Sequence, residues 1–128
     1  MIIGVGTDLV EIARVANSIE RLGERFVDRI LTEQEKQRWQ AISHPDQANA
    51  YVAKRFAAKE AAVKALGTGI GSGVSFQHFN VINLPSGQPC LEVADNIKAR
   101  FDQEIRWYLS LTDEIAYAQA FVILEAIG

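Results

Sequence analysis

The stretch "RFAAKEAAVKALGTGIGSG", residues 55–73, decides how the rest of the chain is read. Alanine is the best helix former, and five alanines stand between Ala57 and Ala65. Pro45 precedes the segment, and helical spacing continues from residue 47 until Gly67 and Gly69 end it. Glu60 and Lys64 lie one helical turn apart on a common face, with Phe56 one turn before them. By spacing alone they read as an ordinary surface ion pair. The glycines that follow open a second reading. A glycine-rich loop can present backbone N–H groups to an anion, so a carboxylate, a lysine and such a loop are parts that phosphate chemistry uses.

Upstream, "IIGVGTDLV" is apolar and β-branched and predicts a first strand over 2–10, whose Gly4 and Gly6 allow something to pack close to its backbone. Helical segments follow over 13–23, stopping at Gly23, and over 24–31. Thr32 with Glu35 three residues later is the signature of a capping box at the start of a third helix. Downstream the pattern changes. Residues 76–84 and 90–94 flank "PSGQP", a proline and glycine turn, and predict a hairpin. A helix is predicted over 95–105, then strands over 106–112 and 115–125 with Asp113 and Glu114 at the turn. In the last strand Ala116, Ala118 and Ala120 alternate with Tyr117 and Phe121, so one face is small and a helix can lie close on it. Helices early and strands late predict an α+β class. The expected architecture is one domain over 1–128, a mainly antiparallel sheet packed against the alanine-rich helix.

Composition bounds the function. Hydrophobic residues make up 48% of 128, enough for a packed core, and the formal net charge is -3. An acidic chain lacks the basic surface that general nucleic-acid binding needs. No apolar run reaches the ~18 residues of a membrane helix, and the N-terminus meets Asp8 too early for a signal peptide. The single cysteine, Cys90, allows no intramolecular disulfide and no thiolate zinc cage, which fits a reducing cytoplasm.

Asp8 is the other residue with chemical interest. Either the strand ends at Thr7 and Asp8 opens a loop, or its carboxylate is held by a partner or a metal, and the strand alone does not choose. Asp8 and Glu60 together could supply the one or two carboxylates that magnesium takes alongside substrate phosphates. Familiar phosphate motifs do not account for the glycines. They follow the helix with no Gly-Lys-Ser/Thr sequence, and "GVG" has no third glycine at the dinucleotide spacing. His44 and His78 are isolated, and Cys90 has no evident base beside it. Arg14, Ser18, Arg21 and Arg25 fall on one stripe if the first helix continues past Gly23, with Arg29 extending it loosely. Such a stripe is either a solvated face or a dock for an acidic partner.

Taken in order, "GVGTDLVEIARV" and "RFAAKEAAVKALGTGIG" resemble the two signature stretches of the holo-(acyl carrier protein) synthases, within the 4'-phosphopantetheinyl transferase superfamily. "LTEQE", "SGQP" and "LSLTDEIAYAQAFVILE" extend the resemblance over nearly the whole chain. It implies transfer of the phosphopantetheine arm of coenzyme A to a serine of apo acyl carrier protein, with release of adenosine 3',5'-bisphosphate, in support of fatty acid biosynthesis. It implies that Asp8 and Glu60 hold magnesium on the pyrophosphate and that Lys64 stands at the phosphates. Gly67, Thr68 and Gly69, with Gly87 and Pro89 of the hairpin turn, match stretches lining the coenzyme A cleft. Arg14, Arg21 and Arg25 match a basic face that receives the acidic helix of the carrier. The resemblance further implies a homotrimer with each site between two subunits. Glu60 or a metal-bound water could act as base, and the sequence does not choose. One departure stands out. Many relatives close the penultimate strand with a serine-x-serine/threonine-histidine pattern, whereas this chain reads Ser110, Leu111, Thr112, Asp113. A carboxylate there would repel a pyrophosphate unless protonated or metal-bound.

Overall fold

The computed structural model describes residues 1–128. Strand β1 (Ile2–Glu11) leads into helix α1 (Ile12–Leu22), α2 (Glu24–Ile30) and α3 (Glu33–Gln40) before the long helix α4 (Pro45–Leu66). The hairpin β2 (Phe79–Asn83) and β3 (Pro89–Val93), a single helical turn α5 (Asp95–Lys98), and strands β4 (Glu104–Asp113) and β5 (Tyr117–Ile127) complete the chain. All strand pairs are antiparallel, in a three-stranded sheet of order β1-β5-β4 and a two-stranded sheet β2-β3. The α+β class and the antiparallel sheet on an alanine-rich helix are as the sequence implies.

Helix α4 begins two residues before its predicted start, because Pro45 occupies the first helical turn, where its fixed φ is suited and no N–H is missed. It ends as predicted at Gly67, which takes the left-handed conformation at φ 80°. Ala57, Ala58, Ala61 and Ala62 are fully buried, as are Ala118 and Ala120 of β5. Small side chains on both surfaces let helix and sheet approach closely. The closest approach is at β1. A Cβ on Gly6 would stand 1.9 Å from the Ala61 carbonyl oxygen, and one on Gly4 the same distance from that of Ala65. These two glycines therefore fix where α4 lies on the sheet, and with it where Glu60 and Lys64 stand relative to Asp8.

Two expectations are corrected. The helix read over 95–105 stops after Lys98. Ile97, Phe101 and Ile105 have helical spacing, but Ile105 pairs with Ala126 in the sheet, and that ladder overrides the local period. Helix α1 stops at Gly23 as the sequence implies, its backbone there at φ 66° and ψ -146°, so the condition for a continuous arginine stripe is not met and Arg25 belongs to a separate helix. Ala116 also falls outside the small face, in the exposed turn before β5.

Elsewhere the capping box forms as read. The Thr32 N–H donates to Glu35 Oε1 at 2.8 Å, and Thr32 Oγ1 accepts from the Glu35 N–H at 3.3 Å. The same buried carboxylate accepts from Lys59 Nζ at 2.6 Å and from the Val81 N–H at 2.7 Å, while Lys59 also donates to the Ile30 carbonyl at 2.6 Å. The Glu35 and Lys59 pair thus ties together α2, α3, α4 and β2. Burial holds the Lys59 ammonium below the usual lysine range, and the Glu35 charge opposes that shift.

Candidate active site

Asp8 lies within β1, paired with Ala120 of β5, so the strand does not end at Thr7. Its side chain is 15% exposed. Lys64, in the last turn of α4, donates from Nζ to Asp8 Oδ1 at 3.1 Å and to the Thr7 carbonyl at 2.9 Å. The lysine therefore bonds Asp8, and no ion pair joins it to Glu60. The second oxygen of Asp8, Oδ2, is buried and has no hydrogen-bond partner. A buried carboxylate oxygen left unpaired costs free energy unless a cation or donor completes it.

Glu60 lines the same cleft as Asp8. The cleft encloses about 350 Å³, and its walls include Arg14 and Ser18 of α1, Phe26 of α2 and Phe56 of α4. Burial raises the Glu60 carboxyl above its ordinary value, and the neighbouring Asp8 charge raises it further, while Lys64 and Arg29 pull it back. Two carboxylates repelling one another, one with an orphaned oxygen, form a hard-oxygen pair of the kind magnesium takes together with phosphate oxygens. There is no cluster of three or more metal-ligating side chains, so phosphates and water would have to supply the remaining ligands.

The glycine loop is arranged differently from its reading as an anion cradle. The Gly67 N–H donates to the Lys64 carbonyl at 3.0 Å and the Thr68 N–H to that of Val63 at 3.1 Å, so both are used to close the helix. The Gly71 N–H is likewise engaged, with Val74 at 2.7 Å. The buried Thr68 hydroxyl has no partner, and the Gly69 N–H takes no part in closing the helix. A helix C-terminus carries partial negative charge, so an anion here depends on Lys64 to offset that field.

Gly87 and Pro89 lie in a separate small cleft, with Lys54, Arg55, Asn83, Leu111 and Asp113. Within one chain they do not share a cleft with Asp8 and Glu60. Asp113 pairs with Lys54 at 3.4 Å, so its charge is partly neutralised. Arg55 is 4% exposed, its guanidinium lies 3.9 Å from the Tyr51 ring centroid, and its Nε makes no hydrogen bond. Burial lowers its pKa from the usual arginine value, opposed by Tyr51 and Glu35. Lys54 and Arg55 carry no signal of their own in the sequence, although Arg55 opens the glycine-ended stretch and Lys54 stands just before it. They sit on a different face of α4 from Glu60 and Lys64, and only the hairpin folding over that face makes them part of a cleft.

Arg14, Arg21 and Arg25 are all exposed, but on two helices. Arg14 borders the Asp8 and Glu60 cleft, and Arg21 occupies the last turn of α1, where a cation also suits the helix dipole. Arg29, only loosely attached to the stripe in the sequence, is close enough to favour the charged form of Glu60 and stacks at 5.7 Å from the Phe76 ring centroid.

The chain as a whole is similar to known proteins. A holo-[acyl-carrier-protein] synthase of Marinomonas sp. (strain MWYL1) is 76% identical over 126 residues, covering 98% of this chain and 99% of that one. The crystal structure of a holo-[acyl-carrier-protein] synthase from Neisseria meningitidis superposes with a TM-score of 0.87 at 36% identity, covering 98% of this chain and 99% of the other. A holo-(acyl-carrier-protein) synthase from Bacillus anthracis str. Ames, solved in complex with CoA (3',5'-ADP), gives 0.82 at 36% identity and 99% coverage of both chains. The family model of the 4'-phosphopantetheinyl transferase superfamily matches residues 4–123, and the chain belongs to that superfamily.

Proposed function

We infer that the chain transfers the 4'-phosphopantetheine group of coenzyme A to a serine of apo acyl carrier protein, releasing adenosine 3',5'-bisphosphate, in the cytoplasm and in support of fatty acid biosynthesis. The observation that carries the mechanism is the pairing of Asp8 and Glu60 across the close contact of β1 and α4, with Lys64 bonded to one Asp8 oxygen and the other left unpartnered. Asp8 and Glu60 would hold a magnesium ion, which supplies charge neutralisation on the pyrophosphate when bound. Lys64 orients Asp8 and can meet charge on the leaving phosphate. The serine proton would pass to Glu60 or to a water molecule in the cleft. Lys54 and Arg55, with Gly87 and Pro89, offer net positive charge to the anionic end of the coenzyme. Arg14 borders the cleft, Arg21 is exposed in the last turn of the same helix, and both suit an acidic carrier helix.

The assembly expected is a homotrimer with sites between subunits. Two features support it. The outward face of the three-stranded sheet carries Val5, Leu9, Tyr108 and Phe121, each 43–62% exposed, where a water-facing antiparallel sheet ordinarily turns polar. The Gly87 and Pro89 cleft is also separate from the carboxylate pair within one chain, so a neighbouring copy could bring the two together.

The test is incubation with coenzyme A, magnesium and apo carrier protein, followed by mass spectrometry of the carrier. Wild type should add the phosphopantetheine mass. Asp8→Ala and Glu60→Ala should each lose most of the rate while remaining folded. Near-normal rates for both variants at limiting magnesium would remove these carboxylates from the mechanism.

A further inference from the structure

The Lys64 contact with Asp8 has a physical cost for metal binding. The ammonium holds Asp8 Oδ1 at 3.1 Å and is anchored a second time on the Thr7 carbonyl at 2.9 Å. A dication bridging Asp8 and Glu60 would have to lie within a few ångströms of that fixed positive charge. Two carboxylates are already a sparse site for magnesium. With Lys64 in place, the local charge falls from two negatives to one. Only Oδ2 of Asp8 is then free, and it is buried. Lys64 itself is 53% exposed, so its side chain can leave Asp8 without unpacking the helix. Phosphate oxygens would give the ammonium a competing partner and the metal its missing ligands in one step.

We propose that Lys64 is the resident counter-ion of Asp8 and holds the divalent cation off the carboxylate pair until a pyrophosphate-bearing substrate draws the ammonium away, so that metal and coenzyme load together. The proposal rests on the carboxylate pair being the metal site, as inferred above. Its distinguishing consequence is that removing a residue of the site strengthens binding of the bare metal. A lysine that merely props Asp8 in place would have the opposite effect, because its loss would leave the metal a less ordered ligand.

The experiment titrates manganese, as a paramagnetic stand-in for magnesium, into the full chain and follows free Mn²⁺ by electron paramagnetic resonance, with and without coenzyme A. The proteins are wild type, Lys64→Met, Lys64→Arg and Asp8→Asn, each checked for native circular dichroism. Removing one unit charge beside a dication in a partly solvated site should tighten Mn²⁺ binding in the absence of coenzyme by about 10-fold in Lys64→Met. Lys64→Arg should behave as wild type, and coenzyme A should enhance Mn²⁺ binding in wild type much more than in Lys64→Met. Asp8→Asn should abolish the site in both arms. If Lys64→Met binds Mn²⁺ alone no better than wild type, while wild type with coenzyme A shows Asp8-dependent binding, the counter-ion role is overturned and the metal site stands. If wild type shows no Asp8-dependent Mn²⁺ binding in either arm, the metal site and this role both fall.

Discussion

At the scale of single residues, Glu60 shows how a site trades stability for chemistry. Its carboxyl is raised above the ordinary value of 4.5, first by burial and then by the Asp8 charge. The folded protein therefore binds this proton more tightly than the unfolded chain does. The stabilising contribution is complete below the unfolded pKa and is lost as pH rises through the folded one. Near neutral pH the ionised Glu60 is a net burden on the metal-free fold. Glu60→Gln should accordingly raise the thermal midpoint near neutral pH in the presence of a chelator, and the gain should fade as pH falls through the folded pKa and be gone below about pH 4. Thermal scans at the two pH values check this. A variant less stable than wild type near neutral pH would mean that Glu60 is better satisfied than its neighbours suggest.

At the scale of elements, the packing of α4 on β1 and the Glu35 node set the site's geometry. A methyl group at position 6 would collide with the Ala61 carbonyl, which is backbone and cannot turn aside. Gly6→Ala should destabilise by ~1–3 kcal/mol or more, because overpacking moves backbones apart. It should also cut transfer beyond the loss of folded protein, since it displaces Glu60 and Lys64 from Asp8. Denaturant midpoints and activity per folded molecule separate the two effects. Glu35 and Lys59 form a buried pair satisfied by the Val81 N–H and the Ile30 carbonyl. Removing one partner strands the other, so Glu35→Ala should cost about 3–5 kcal/mol. Replacing both together, Glu35→Leu with Lys59→Met, should cost much less than the two single losses added. Double-mutant-cycle denaturation measures that coupling, and simple additivity would show the pair to be independent.

At the scale of the whole molecule, the exposed apolar face of the sheet and the split between the two clefts bear on assembly. Light scattering at assay concentration should give the mass of three chains, and a fully active monomer would rule the trimer out. The arginines bear on the carrier protein. Exposed charges steer encounter, are screened over ~8 Å at physiological salt and contribute only ~0.2–1 kcal/mol per pair. Reversing Arg14 and Arg21 together to glutamate should raise the Michaelis constant for the carrier and remove its salt dependence, while coenzyme A affinity stays nearly unchanged. Arg25 should contribute less than a continuous stripe would require, because Gly23 places it on a different helix. Indifference of the carrier constant to both salt and charge reversal would leave these arginines as a solvated face.

Local physics wrote much of this protein into its sequence. Alanine propensity fixes α4, Pro45 and Gly67 bound it, Thr32 and Glu35 cap α3, and the turn at residues 85–89 makes the hairpin. Gly4 and Gly6 announce a close approach, since only the absence of a side chain explains glycine in a strand otherwise so apolar. The helix, cap and turn signals act between residues near in the chain, so they can be read without knowing what packs against what, whereas the glycines announce a close approach without naming its partner, α4. The long-range ladder overrode the helical spacing of Ile97, Phe101 and Ile105, and a single backbone rotation at Gly23 divided the arginine stripe. The partners of Lys64 were likewise decided only in three dimensions. The helical step joins it to Glu60, but β1 presents Asp8 and the Thr7 carbonyl closer to its ammonium. The cleft of Lys54, Arg55 and Asp113 exists because the hairpin folds over a face of α4 whose residues, along the chain, look like any others on a helix.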